Sequence, residues 1–301
     1  MNIVERAGRE LGMSLGKSLV EKAAERLIAG DLGAAPARDA RQEAVTPQYA
    51  PAAPTGRRET RRRVTLDFDA LRSRGLALPR DQSGLAEEMR LIKRPLLSAA
   101  FANEASVEHA NVVMVTSANP DEGKTFTAAN LAFSIASEHE THVLLIDADV
   151  ANPTIPDMLG FDAEMGLMDV VAESGIEMAD VLVATNIPNL TILPAGRPRS
   201  GASELLASAR MARFVDDVAT RYADRIVIFD SPPVRARSEP LILMQYVGQI
   251  VFVVEAERTS RLAVAEALAS IGTKKVGGIV LNKAPPTPSH GYGYYYGAGS
   301  R

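Results

Sequence analysis

Six strand-like runs of the chain are mostly apolar: residues 111–117, 142–147, 190–194, 225–230, 249–255 and 276–282. In Val143-Leu144-Leu145-Ile146 and Ile226-Val227-Ile228-Phe229, successive side chains, which leave a strand on opposite faces, are all hydrophobic. Strands buried on both faces belong in a parallel sheet. Between them, residues 125–138, 202–221 and 260–271 carry apolar positions at helical spacing. This alternation predicts a doubly wound α/β domain, a mainly parallel sheet with helices on both faces.

The regular pattern sets in near residue 85, and the domain is taken as residues 80–283. Residues 1–30 read as a helical segment in which Ile3-Val4-Glu5-Arg6-Ala7 is echoed by Leu19-Val20-Glu21-Lys22-Ala23. It is either an amphipathic docking segment or a helix packed on its own domain. Residues 31–79 are rich in Ala, Pro and Arg and read as a linker. The arginines closing its first half, Arg57 to Arg63, suit either anionic headgroups or plain solvation. Residues 284–301 form a Gly- and Tyr-rich tail.

Composition narrows the chemistry. With 33 Lys+Arg against 37 Asp+Glu, a net charge of −4, no nucleic-acid partner is expected. The absence of cysteine excludes disulfides, thiolate nucleophiles and Cys-based zinc sites. No apolar run reaches the ~18 residues of a membrane span, and the first residues lack the basic-then-apolar order of a signal peptide. His139 and His142 are near ligand spacing but lack carboxylate or thiolate companions, so they read as surface residues.

The sharpest signal follows the first run: Ala118-Asn119-Pro120-Asp121-Glu122-Gly123-Lys124-Thr125, with Phe126 next. A tight loop entering a helix surrounds phosphate oxygens with backbone N–H groups. Lys124 then reaches the outer phosphates and the Thr125 hydroxyl binds Mg²⁺. Asp147 and Asp149 end the second run and Asp230 ends the fourth, at the carboxyl edge where α/β sheets bind ligands. Asp147 and Asp149 would repel each other on one strand face unless a cation lay between them. Capping and turn formation are the other uses of Asp at such positions.

With these motifs, roughly residues 80–301 resemble the bacterial tyrosine autokinases of capsule and exopolysaccharide synthesis, Walker-type P-loop ATPases related to the Min and Par proteins. The likeness is greatest to the exosortase-associated subgroup. It implies ATP and Mg²⁺ as cofactors. Lys124 and Thr125 become the Walker A pair, Asp147 and Asp149 the A′ motif, and Asp230 the Walker B aspartate. Catalysis then falls to Lys124, Asp147, Asp149 and Asp230. Thr125, Asp147 and Asp230 surround the metal, and Asn282 reads the adenine. The stretch Glu87 to Pro95 resembles the family's self-association helix, with Glu87, Arg90 and Lys93 as contacts. The implied partners are further copies of the chain, as in a ring, and a membrane-embedded chain-length regulator (polysaccharide co-polymerase). The implied location is cytoplasmic, at the inner face of the cell membrane through that partner. The family pattern is departed from at three points: Asp121 replaces a loop glycine, no Arg follows the A′ pair, and Lys93 replaces an Arg.

Four of the seven tyrosines, Tyr292, Tyr294, Tyr295 and Tyr296, lie in the last ten residues. The kinase reading makes them phosphoryl acceptors; the other reading is a plain aromatic tail. No His-Arg-Asp or Asp-Phe-Gly element of eukaryotic-type kinases occurs. Two alternatives to an autokinase stand: a partition-type ATPase switch, and a scaffold that binds nucleotide without turnover. The tyrosine tail, the self-association helix and the lack of the partition family's extra loop lysine favour the kinase.

Overall fold

The computed structural model describes residues 62–102, 107–221 and 224–285. The N-terminal segment, the first part of the linker and the four tail tyrosines lie outside them. The chain divides into Met1–Thr60 and Arg61–Arg301, and the described residues all belong to the second unit.

That unit opens with β1 (Arg62–Arg63), α1 (Phe68–Ser73), α2 (Gly84–Ala100), β2 (Val112–Ser117), α3 (Lys124–Ala136) and β3 (His142–Asp147). Three short helices follow, α4 (Ile155–Leu159), α5 (Leu167–Ala172) and α6 (Met178–Val181), then β4 (Val183–Ala184) and β5 (Leu190–Leu193). The remainder is α7 (Ala202–Leu206), α8 (Ala209–Thr220), β6 (Arg225–Asp230), α9 (Glu239–Leu243), β7 (Gln249–Glu255), α10 (Arg261–Ile271) and β8 (Val276–Asn282). Among the described residues, these eight strands form one sheet in the order β1-β4-β5-β3-β6-β2-β7-β8, antiparallel only between β4 and β5.

The six long strands match the apolar runs to within one residue at each end. Every residue of β2 is buried. On one face, Val113, Val115, Leu145, Ile228 and Val251 join Ala128, Leu131 and Ile135 of α3 in a single cluster. The other face buries Met114, Leu144, Phe229 and Phe252 as completely. Double burial explains why no polar alternation marks these strands. The expected helix 202–221 is broken in two. The Ser208 hydroxyl accepts from the Met211 N–H at 3.3 Å, so a serine in mid-run starts a new helix.

The linker ends earlier than composition suggests. Leu66, Leu71, Leu76 and Leu78 sit in the α3-side cluster, and β1 pairs with β4. The Asn186 side chain clasps Leu66, accepting from its N–H at 2.9 Å and donating to its carbonyl at 3.1 Å. Each buried leucine contributes roughly 1.5–3 kcal/mol. Residues 64–79 are therefore part of the domain; their few leucines are too widely spaced to show as a period.

On α2 the structure corrects one expectation. Glu87 and Arg90 pair at 2.8 Å on the accessible side, but Lys93 is buried and points inward. Its ammonium donates to the Ser134 carbonyl at 2.8 Å and meets Glu138 at 2.5 Å, a cation seated at the carbonyl end of α3. Lys93 therefore does not share a surface with Glu87 and Arg90. Replacing Glu87 and Arg90 by Ala is expected to shift an oligomeric wild type toward monomer in sizing experiments, with little change in melting temperature. Lys93→Met is expected to lower the melting temperature by several degrees, since it strips a helix end of its buried cation.

Candidate active site

The order β3-β6-β2 sets three strand ends side by side. From β2 the chain enters the P-loop, β3 ends at Asp147 and β6 ends at Asp230, with Asp147 and Asp230 in register across the sheet. Gly123 has φ +89° and caps α3; a Cβ there would collide with the Asn282 side chain, so only glycine fits. Asp121 is also left-handed, φ +63°, which costs an L-residue roughly 1–2 kcal/mol, least for Asp and Asn. Its side chain is exposed. The N–H groups of Glu122, Gly123 and Lys124 meet no acceptor among the described residues.

Electrostatics dominate the cleft. The Lys124 ammonium lies 2.8 Å from Asp149 and 3.4 Å from the Thr125 hydroxyl. Burial pulls its pKa down, but Asp230, Asp149 and Asp147 outweigh burial and hold it above the ordinary lysine value. Asp147 is fully buried; one oxygen accepts from the N–H groups of Thr154 and Ile155, each at 3.1 Å, and the other has no partner among the described residues. Burial, reinforced by Asp230, pushes its pKa up to about 8. Among the described residues neither Asp230 oxygen meets a hydrogen-bond donor at bonding geometry, and burial raises that group to about 6 against the pull of Lys124 and the neighbouring Thr125 hydroxyl. The repulsion expected between Asp147 and Asp149 is divided between different partners: backbone donors for one, Lys124 for the other.

Asp147 and Asp230 thus present three carboxylate oxygens unpartnered among the described residues, hard donors that suit Mg²⁺. Among the described residues no cluster of three acidic or His side chains could hold an ion unaided. Mg²⁺ takes one or two carboxylates and completes its shell with phosphates and water.

Other expected residues stand differently. Glu122 is buried with its carboxylate folded into the loop, accepting from the Ala118 N–H at 2.9 Å and the Asn119 side chain at 3.0 Å. Phe126 packs against the core cluster. Asn282 donates to the Glu122 carbonyl at 2.9 Å, so here it touches the loop. Sequence reasoning missed Thr154, which binds both Asp147 and the Thr125 hydroxyl; its only trace is a Thr shortly before Pro156, a helix-start pattern. It also missed Arg235, which donates to Asn119 at 2.8 Å.

Residues 111–275 match the AAA_31 family, an AAA domain. The chain is 36% identical over 186 residues to the tyrosine-protein kinase YwqD of Bacillus subtilis, across 61% of this chain and 76% of that one. It is 33% identical over 189 residues to the tyrosine-protein kinase wzc of Salmonella typhimurium, of which it spans only 26%. Among solved structures, the chimerical protein CapA2B2 superposes with a TM-score of 0.61 at 25% identity, covering 74% of this chain and 93% of that one. The VpsO kinase domain superposes at 0.54 with 30% identity, over 67% of this chain and all of that one.

Proposed function

The chain belongs to the bacterial tyrosine-protein kinases, within the AAA-domain family, and from that premise we propose that it moves the γ-phosphoryl group of ATP onto tyrosine side chains. Its own Tyr292, Tyr294, Tyr295 and Tyr296 are the proposed acceptors, and control of exopolysaccharide synthesis and export the proposed role. The observation that carries the reading is the 36% identity across three quarters of YwqD. The relatives do not favour the partition-type ATPase.

The site's geometry fits such a transfer. The N–H groups of Glu122, Gly123 and Lys124, which have no acceptor among the described residues, take the phosphates with the start of α3. Lys124 moves from Asp149 to the transferring phosphoryl group, where positioned charge is worth most. Thr125, Asp147 and Asp230 would hold Mg²⁺, which would neutralise phosphate charge there. Asp147, fixed through one oxygen by Thr154 and Ile155, orients the incoming phenol or takes its proton at the other. The phenolic oxygen bonds to phosphorus as the bond to ADP breaks.

No described helix is long and apolar enough to cross a membrane. We propose attachment to the inner face through a membrane-embedded chain-length regulator, with the protein as an oligomer.

Incubating the pure protein with Mg·ATP is expected to raise phosphotyrosine on the tail; ADP release without phosphotyrosine would overturn the kinase reading. Tyr292 lies ten residues beyond Asn282, a reach of at most roughly 33–36 Å, and Pro285, Pro286 and Pro288 intervene. Transfer is therefore expected between subunits. A Lys124→Met protein that keeps its tail should be phosphorylated by an active partner lacking residues 291–301. An unmodified tail in that mixture, with wild type modifying its own, means transfer within one chain.

A further inference from the structure

The P-loop is tied down from outside. The Asp121 carbonyl accepts from the Lys283 ammonium at 2.6 Å, and the Glu122 carbonyl accepts from Asn282 at 2.9 Å. The Glu122 carboxylate, which closes the loop onto Ala118 and Asn119, is reached by one further donor, the Thr259 hydroxyl. Thr259 stands between β7 and α10, 137 residues along the chain from Glu122, and Lys283 directly follows β8. Glu255 links the two: its carbonyl accepts from the Thr259 N–H at 3.2 Å and its carboxylate meets Lys283 at 3.2 Å.

These bonds aim the loop. In a trans peptide the carbonyl and the following N–H point in opposite directions. Anchoring the carbonyls of Asp121 and Glu122 on Lys283 and Asn282 thus turns the N–H groups of Glu122 and Gly123 the other way. Those are two of the loop N–H groups without an acceptor among the described residues. The anchors also act where the loop is strained, at a left-handed Asp121. Thr259 holds the Glu122 side chain, and through it the chord from Ala118 to Glu122.

We infer that Thr259 and Lys283 are positioning residues of the nucleotide site, outside the P-loop, that hold its N–H groups in the phosphate-binding arrangement. The inference rests on the site's binding of ATP. Neither side chain reaches the phosphates; each acts through the loop. Their loss weakens ground-state nucleotide binding more than it slows the chemical step.

The test is calorimetric titration of the full chain with Mg·ADP, beside initial rates at varied ATP. Thr259→Val keeps the shape and removes the hydroxyl; it is expected to raise Kd at least fivefold, with kcat at saturating ATP within twofold. Thr259→Ser should restore Kd to within twofold of wild type, a rescue that a packing role would not give. Lys283 is exposed, so Lys283→Met should fold normally and raise Kd similarly. An unchanged Kd in both Thr259→Val and Lys283→Met, or no rescue by serine, overturns the inference. A wild type that does not bind Mg·ADP overturns the nucleotide reading as well, and is recognised without any variant.

Discussion

Lys124→Met is expected to reduce tyrosine phosphorylation at least 100-fold, about 2.7 kcal/mol of transition-state stabilisation. Among the described residues, the lysine is the one cation in contact with Asp149, and its charge also offsets Asp147 and Asp230. Phosphoryl transfer relies on placed charge more than on covalent chemistry, so a methionine of similar length keeps the packing and loses the function. Circular dichroism should show an unchanged fold. The variant's melting temperature should fall most at high pH, where three neighbouring carboxylates lose their counter-charge. Activity within threefold of wild type would sink the assignment of this cleft.

Asp147→Asn is expected to abolish activity to a comparable degree while stabilising the nucleotide-free protein. Asn retains an oxygen for the N–H groups of Thr154 and Ile155 but carries no charge toward Asp230. The folded-state pKa of Asp147 is raised from 3.8 to about 8 and that of Asp230 from 3.8 to about 6. The folded protein thus binds more protons here than the unfolded chain between about pH 4 and 8. The stability from these groups is present below that window and is lost as pH rises through it. At pH 8 the variant should melt at least about 3 °C above wild type, roughly 1 kcal/mol for a domain of this size. The gain should shrink toward pH 5. A difference that does not change with pH would mean that Asp147 is not a strained acid. Phosphorylation surviving at near wild-type rate would remove it from the chemistry.

The strands, the P-loop and its helix, and the acidic strand ends were legible in the amino-acid sequence because each depends on neighbours in the chain. Double burial writes unbroken apolar runs such as Val143 to Ile146, and a phosphate loop needs its glycine and lysine side by side. Lys93 shows the limit: a three-residue spacing groups it with Glu87 and Arg90, yet packing of α2 on α3 turns it inward to Ser134 and Glu138. Leu66 to Leu78 looked like linker because their partners lie on strands far along the chain. Strand order was equally hidden, since an apolar run is compatible with any neighbour in a sheet. The ties of Thr259 to Glu122 and of Lys283 to Asp121 join residues 137 and 162 positions apart. Such a bond leaves no period or motif in the sequence; it exists only once β7 and β8 bring their carboxyl ends against the P-loop.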